Sequence, residues 1–121
     1  MKLTPTLQMT IRITGLIELI LGIVLWTGNA HNLILGHILL GGLLTLALFA
    51  LVYQAYRAGV SKWLVALSAI WALGLPIWGL AQGRIFPETY LWLAQVLHLL
   101  CAIGAIGLAE ILAAKIRKQG A

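Results

Sequence analysis

Apolar residues dominate the chain in four long stretches, and the polar residues gather in the short segments between them. The stretches cover about residues 9–27, 32–56, 61–81 and 88–115. A hydrocarbon layer of roughly 30 Å needs roughly 20 apolar residues to cross it as a helix, and 121 residues leave room for four crossings with short connections. The pattern predicts an all-α integral membrane protein, with four transmembrane helices in an up-down bundle forming a single domain over residues 1–121.

The polar segments suggest where each helix stops. Met1 to Thr10 reads as a short entry with Pro5 as a breaker, and TGNAHN after Trp26 supplies Gly and Asn for a turn. RAGVSK carries Arg57 and Gly59 as exit signals. QGRIFPE reads as a loop, with Pro87 and Glu88 starting the last helix. Pro76, inside the third stretch, is expected to kink that helix without breaking it. Glu18, in the middle of the first stretch, argues against a cleaved signal peptide and for a retained helix.

Composition agrees with this reading. Hydrophobic residues make up 62% and charged residues 9% of the chain, with a mean hydropathy of +1.03, far from a soluble domain. The net charge of +5 follows from topology: Lys2, Arg12, Arg57, Lys62, Lys115, Arg117 and Lys118 fall on one side, and only Arg84 on the other. Such a bias marks cytoplasmic segments, so both termini are expected in the cytoplasm of a bacterial-type inner membrane. Anionic lipid headgroups are the natural counterpart of these charges, and nucleic acid is not implied. Trp26, Trp63, Trp78 and Trp92, with Tyr56 and Tyr90, fall near helix ends and read as interface anchors. Trp71 is more central and reads as helix packing ahead of cofactor stacking. The single cysteine, Cys101, excludes an intrachain disulfide and reads as a small core residue.

Against this background, His37 in NLILGHILLGG and His98 in LAQVLHLLCAI stand out. An imidazole carries a donor and an acceptor that hydrocarbon cannot satisfy. The two are 61 residues apart, so each occupies nearly the same place in its own half of the chain. The same offset lays Leu39 on Leu100, Arg57 on Lys118 and Gly59 on Gly120, a weak signal of a tandem two-helix repeat. In such a repeat the second and fourth helices run in the same direction, and both histidines lie in the external half, at about 9 and 15 Å from their helix starts. One turn after each comes a small residue, Gly41 or Ala102, leaving room for a planar ligand or for close helix packing.

Two imidazoles at similar depth on parallel helices suit the axial positions of a single haem. On His37 in GHILLGG and His98 in VLHLL, the chain resembles the small bacterial four-helix membrane b-type cytochromes. That resemblance implies haem b as cofactor, electron transfer as the role, and a quinone or membrane redox protein as partner. Members with two haems need four ligating histidines. This chain has three, and His31 lies at the external loop, so one haem is the most that it can hold by bis-histidine ligation. One haem in the external half does not by itself carry an electron across the bilayer.

The remaining polar residues are read around this pair. Glu18 is expected near mid-membrane, where it is a protonated acid, a hydrogen-bond acceptor behind a ligand imidazole, the centre of a small proton-coupled transporter, or a partner in a structural ion pair. Arg84 and His31 are candidates for neutralising haem propionates, and Gln82 and Gln95 for lining a quinone or propionate site. Glu110 is expected to pair with Lys115 or its neighbours, or to be solvated. No catalytic constellation is visible, so an electron carrier or accessory subunit is favoured over an enzyme. The alternatives to the haem protein are an assembly or pigment-binding subunit of a larger membrane complex, or a homo-oligomer that pairs its histidines between chains, or the transporter on Glu18.

Overall fold

The computed structural model describes residues 2–28 and 30–120. It contains helix α1 (Thr4–Trp26), a 3₁₀ turn (His31–Leu33), α2 (Ile34–Arg57), α3 (Lys62–Ile85) and α4 (Glu88–Gly120). All four long helices have the length and apolarity to cross a membrane, so the chain is a multi-pass membrane protein whose surface faces a lipid bilayer.

Three helix boundaries differ from the expectation. Helix α1 begins at Thr4, so Pro5 sits in its first turn, where a missing N–H costs nothing. Gln8 and Arg12 are therefore part of a span. Helix α3 continues through Pro76 to Ile85, which makes Gln82, Gly83 and Arg84 its last turn instead of a loop. Helix α4 also runs five residues beyond its expected end. The glycine exits are as the sequence indicates: Gly28 and Gly59 have φ of 78° and 77°, the left-handed conformation that closes a helix. Asn29, the other turn residue expected after α1, lies outside the described residues.

The helices form two hairpins, α1/α2 and α3/α4. Helices α2 and α4 touch across the bundle, whereas α1 and α3 make no contact among the described residues. We call the end with the α1–α2 and α3–α4 connections the loop end, and the other the terminal end. Packing is uneven between them. Ile11, Ala47, Leu48, Leu51, Ala55, Ala105, Ala109, Leu112 and Ala113 form a closed core in the terminal half. In the loop half, apart from Leu44 near the middle of α2, the only buried apolar residues among those described are Ala30 and Ala94. Lipid tails are as apolar as leucine, so close packing of small residues, more than burial itself, holds such helices together. The alanines of α2 and α4 provide it at one end only.

Polar contacts reinforce the terminal half. Arg12 Nε lies 2.6 Å from Glu110 Oε1, and its terminal nitrogen donates to Oε2 at 2.8 Å. Gln8 donates to the same carboxylate and accepts from Arg117 at 2.9 Å. Glu110 thus pairs across α1 and α4, and not with Lys115. Within the first hairpin, Thr4 Oγ1 donates to Gln54 at 2.6 Å.

The second hairpin is zipped by tryptophans. Trp71 donates to the Cys101 carbonyl at 2.8 Å and lies over Gly104, so its role is helix packing. Trp78 donates to the Ala94 carbonyl at 3.0 Å and packs against Phe86; it joins two helices and is no interface anchor. Trp26, Trp63, Trp92, Tyr56 and Tyr90 are exposed near helix ends, as an aromatic belt requires. A Cβ at Gly104 would lie 2.7 Å from Trp71 Cζ2, whereas one at Gly15 would lie 2.7 and 2.9 Å from Cδ1 and Cγ1 of Ile106, a more flexible side chain than the indole. Gly104→Ala is therefore expected to destabilise the bundle by about 1–3 kcal/mol through displacement of the indole. Gly15→Ala is expected to cost less, and comparing detergent thermal melts of the two variants checks this.

Candidate functional site

The two intramembrane histidines meet. The rings of His37 on α2 and His98 on α4 have centroids 6.4 Å apart and planes at 79° to each other. They lie in the loosely packed half, one from each hairpin. Parallel alignment of α2 and α4 brings them to one level, as expected from an even number of helices per half.

Each ring is seated against a glycine of the other helix in its hairpin. A Cβ at Gly22 of α1 would lie 3.8 Å from His37 Cε1, and one at Gly79 of α3 would lie 2.7 Å from His98 Cε1. The seats repeat between hairpins as the histidines do. Behind His37 stands Glu18, whose Oε2 is 2.9 Å from Nδ1, with side-chain exposures of 10% and 23% for the acid and the imidazole. Gly41 makes room for this carboxylate, since its Cβ would approach Oε2 to 3.2 Å. The space anticipated beside His37 for a cofactor is thus taken by Glu18. The position in α3 that corresponds to Glu18, four residues before the seating glycine, is Leu75, so His98 has no matching carboxylate.

The polar groups here are under-satisfied. Glu18 Oε1, His37 Nδ1, His98 Nδ1 and Gln82 Oε1 are buried without a partner in hydrogen-bond geometry. His37 Nδ1 is close to Glu18 but not aligned with it. These four atoms come one from each helix. Buried polar groups are almost always paired, and an orphaned one costs about 1–3 kcal/mol. Such atoms concentrate in the half with the thinnest core, Ser68 Oγ in the terminal half being the exception.

The cationic residues singled out in the sequence lie apart from the pair. His31 opens the 3₁₀ turn and Arg84 lies in the last turn of α3, both exposed at the loop end. Ala102 and Gln95 are half-buried on α4, as is Cys101. The two seating glycines were not anticipated. Their separation in sequence, 57 residues, is close to that of the histidines, and this repeat is the signal by which they were findable.

Among the described residues, no three His, Cys, Asp or Glu side chains are grouped as a metal cage. Two imidazole donors suffice only where the remaining donors arrive with the ligand, and a porphyrin brings four. A metal–imidazole bond of about 2 Å puts the centroids of two opposed rings on one metal about 6 Å apart. In donor type and number the two imidazoles would suit a six-coordinate haem, and the 6.4 Å between their centroids is compatible with one metal between them. In comparisons with known protein families, curated proteins and solved structures, nothing matches the chain.

Proposed function

We propose that the chain is a membrane electron-transfer protein that holds one haem b between His37 and His98. The observation that carries this reading is the convergence of the two imidazoles, 6.4 Å between centroids, in the open half of an otherwise closed bundle. Held by both imidazoles, haem b would supply one-electron exchange. The chain's own groups bind and orient. Gly22 and Gly79 seat the rings, Glu18 stands 2.9 Å from His37 Nδ1, where it would help to orient that ring, and the terminal core sets the distance between hairpins.

The charge bias supports cytoplasmic termini in a bacterial-type inner membrane, which would set a haem at the histidine pair in the external half. A quinone or a membrane redox protein would then be its partner on that side. The test is a reduced-minus-oxidised absorption spectrum of protein purified from haem-replete cells. Bands of a low-spin b haem at about one per chain are expected, and colourless protein would reject the reading.

Glu18 also yields a measurable expectation. Glu18→Leu, which makes the first hairpin resemble the second, is expected to keep a low-spin spectrum while weakening haem binding about 10- to 100-fold. Titration of apoprotein with haem measures it. The buried carboxylate against an imidazole favours a second reading, proton-coupled transport centred on Glu18. It would be supported by colourless protein whose proton-driven flux in vesicles disappears in Glu18→Gln.

A further inference from the structure

We propose that Gln82 anchors a carboxylic-acid group of the bound cofactor by an amide–acid pair of hydrogen bonds. The inference rests on the haem reading and adds a binding residue to it. Gln82 Oε1 is buried and has no partner. It lies on α3 three residues beyond Gly79, the glycine on which the His98 ring rests. Three residues along a helix return to the same face, about 4.5 Å nearer the loop end. The orphaned amide oxygen thus belongs to the loop-side rim of the histidine site.

The amide oxygen lacks a donor, and the same side chain offers two N–H donors of its own. An un-ionised carboxylic acid answers both needs, since its O–H donates to Oε1 and its carbonyl accepts from Nε2. The propionic acids are the only groups on the edge of haem b with that chemistry. A neutral amide is also better suited than a cation to a buried position, where charge is costly. Arg84 and His31, the cationic candidates, are exposed at the surface of the loop end. The buried contact falls to Gln82.

The experiment titrates full-length apoprotein with haem b and with its dimethyl ester, which retains the ring and both carbonyls but has no acid O–H. Wild type is expected to bind the free acid roughly tenfold more tightly, the effect of one buried hydrogen bond to an otherwise orphaned acceptor. Gln82→Met, of similar length and without donors or acceptors of this strength, is expected to abolish the preference while binding the ester as wild type does. Gln95→Met is expected to retain the preference. Equal affinity of wild type for acid and ester overturns the inference without recourse to any variant. So does a preference that survives in Gln82→Met or disappears in Gln95→Met. In each of those outcomes the low-spin spectrum still upholds the haem reading, whereas wild type that takes up neither compound rejects both.

Discussion

Alanine at either His37 or His98 is expected to eliminate the low-spin b-type spectrum. Each variant removes one of the two proposed ligand nitrogens, and the two come from different hairpins, so neither histidine stands in for the other. His31 is at the loop surface, and a thiolate from Cys101, three residues along the helix from His98, would give a spectrum distinct from that of two imidazoles. The expected product is a five-coordinate, high-spin haem with affinity lowered by several orders of magnitude, or apoprotein. Free imidazole fits the space vacated by either side chain and is expected to restore the low-spin bands in part. Absorption spectra of both variants, with and without imidazole, provide the measurement. An unchanged spectrum in either one rejects the ligand assignment, whatever its activity.

Adding one methyl group at Gly79 is expected to be nearly as damaging to the site, without touching a ligand. The new carbon would lie 2.7 Å from His98 Cε1, 3.1 Å from Nε2 and 3.4 Å from Nδ1. A ring on two torsions can yield only by swinging its nitrogens off line, and a site displaced by a fraction of an ångström loses much of its function. Gly79→Ala is expected to lower haem affinity by at least about tenfold and to shift the low-spin bands. Gly22→Ala places its methyl at an ordinary 3.8 Å from His37 Cε1 and is expected to bind nearly as wild type. The pair separates loss of ligand geometry from general destabilisation of a hairpin, since each adds the same group to an equivalent helix.

The four spans were legible because lipid imposes a minimum length and a uniform apolarity, and both are visible in the sequence. The first helix was read as starting late because Gln8 and Arg12 look like a polar entry. They are tolerated inside the span because Glu110 of α4 meets them, and a partner 98 residues away from Arg12 leaves no local trace. The end of α3 was misread for a related reason: Gly83 and Arg84 carry loop chemistry, yet the helix holds through them. Trp78 looked like an interface residue by position alone, and only its bond to the Ala94 carbonyl shows otherwise. Of the site, the histidine pair was legible through its repetition, and Glu18 through its cost in lipid. The placement of Glu18 against His37 depends on α1–α2 packing, where Gly41 yields space to the acid. Gly22 and Gly79 sit on helices other than those of the rings they seat, at no fixed spacing from them. Small residues are common in membrane helices, so neither stood out by itself.

The uneven packing gives the bundle the mechanics of a peg. Its alanine-lined half is the spring, and the histidines are the jaws. A small change of angle between the hairpins at Ala47, Ala105 and Ala109 is magnified at the far end, where the rings face each other. Enlarging one of those alanines is thus expected to part the two rings from a distance.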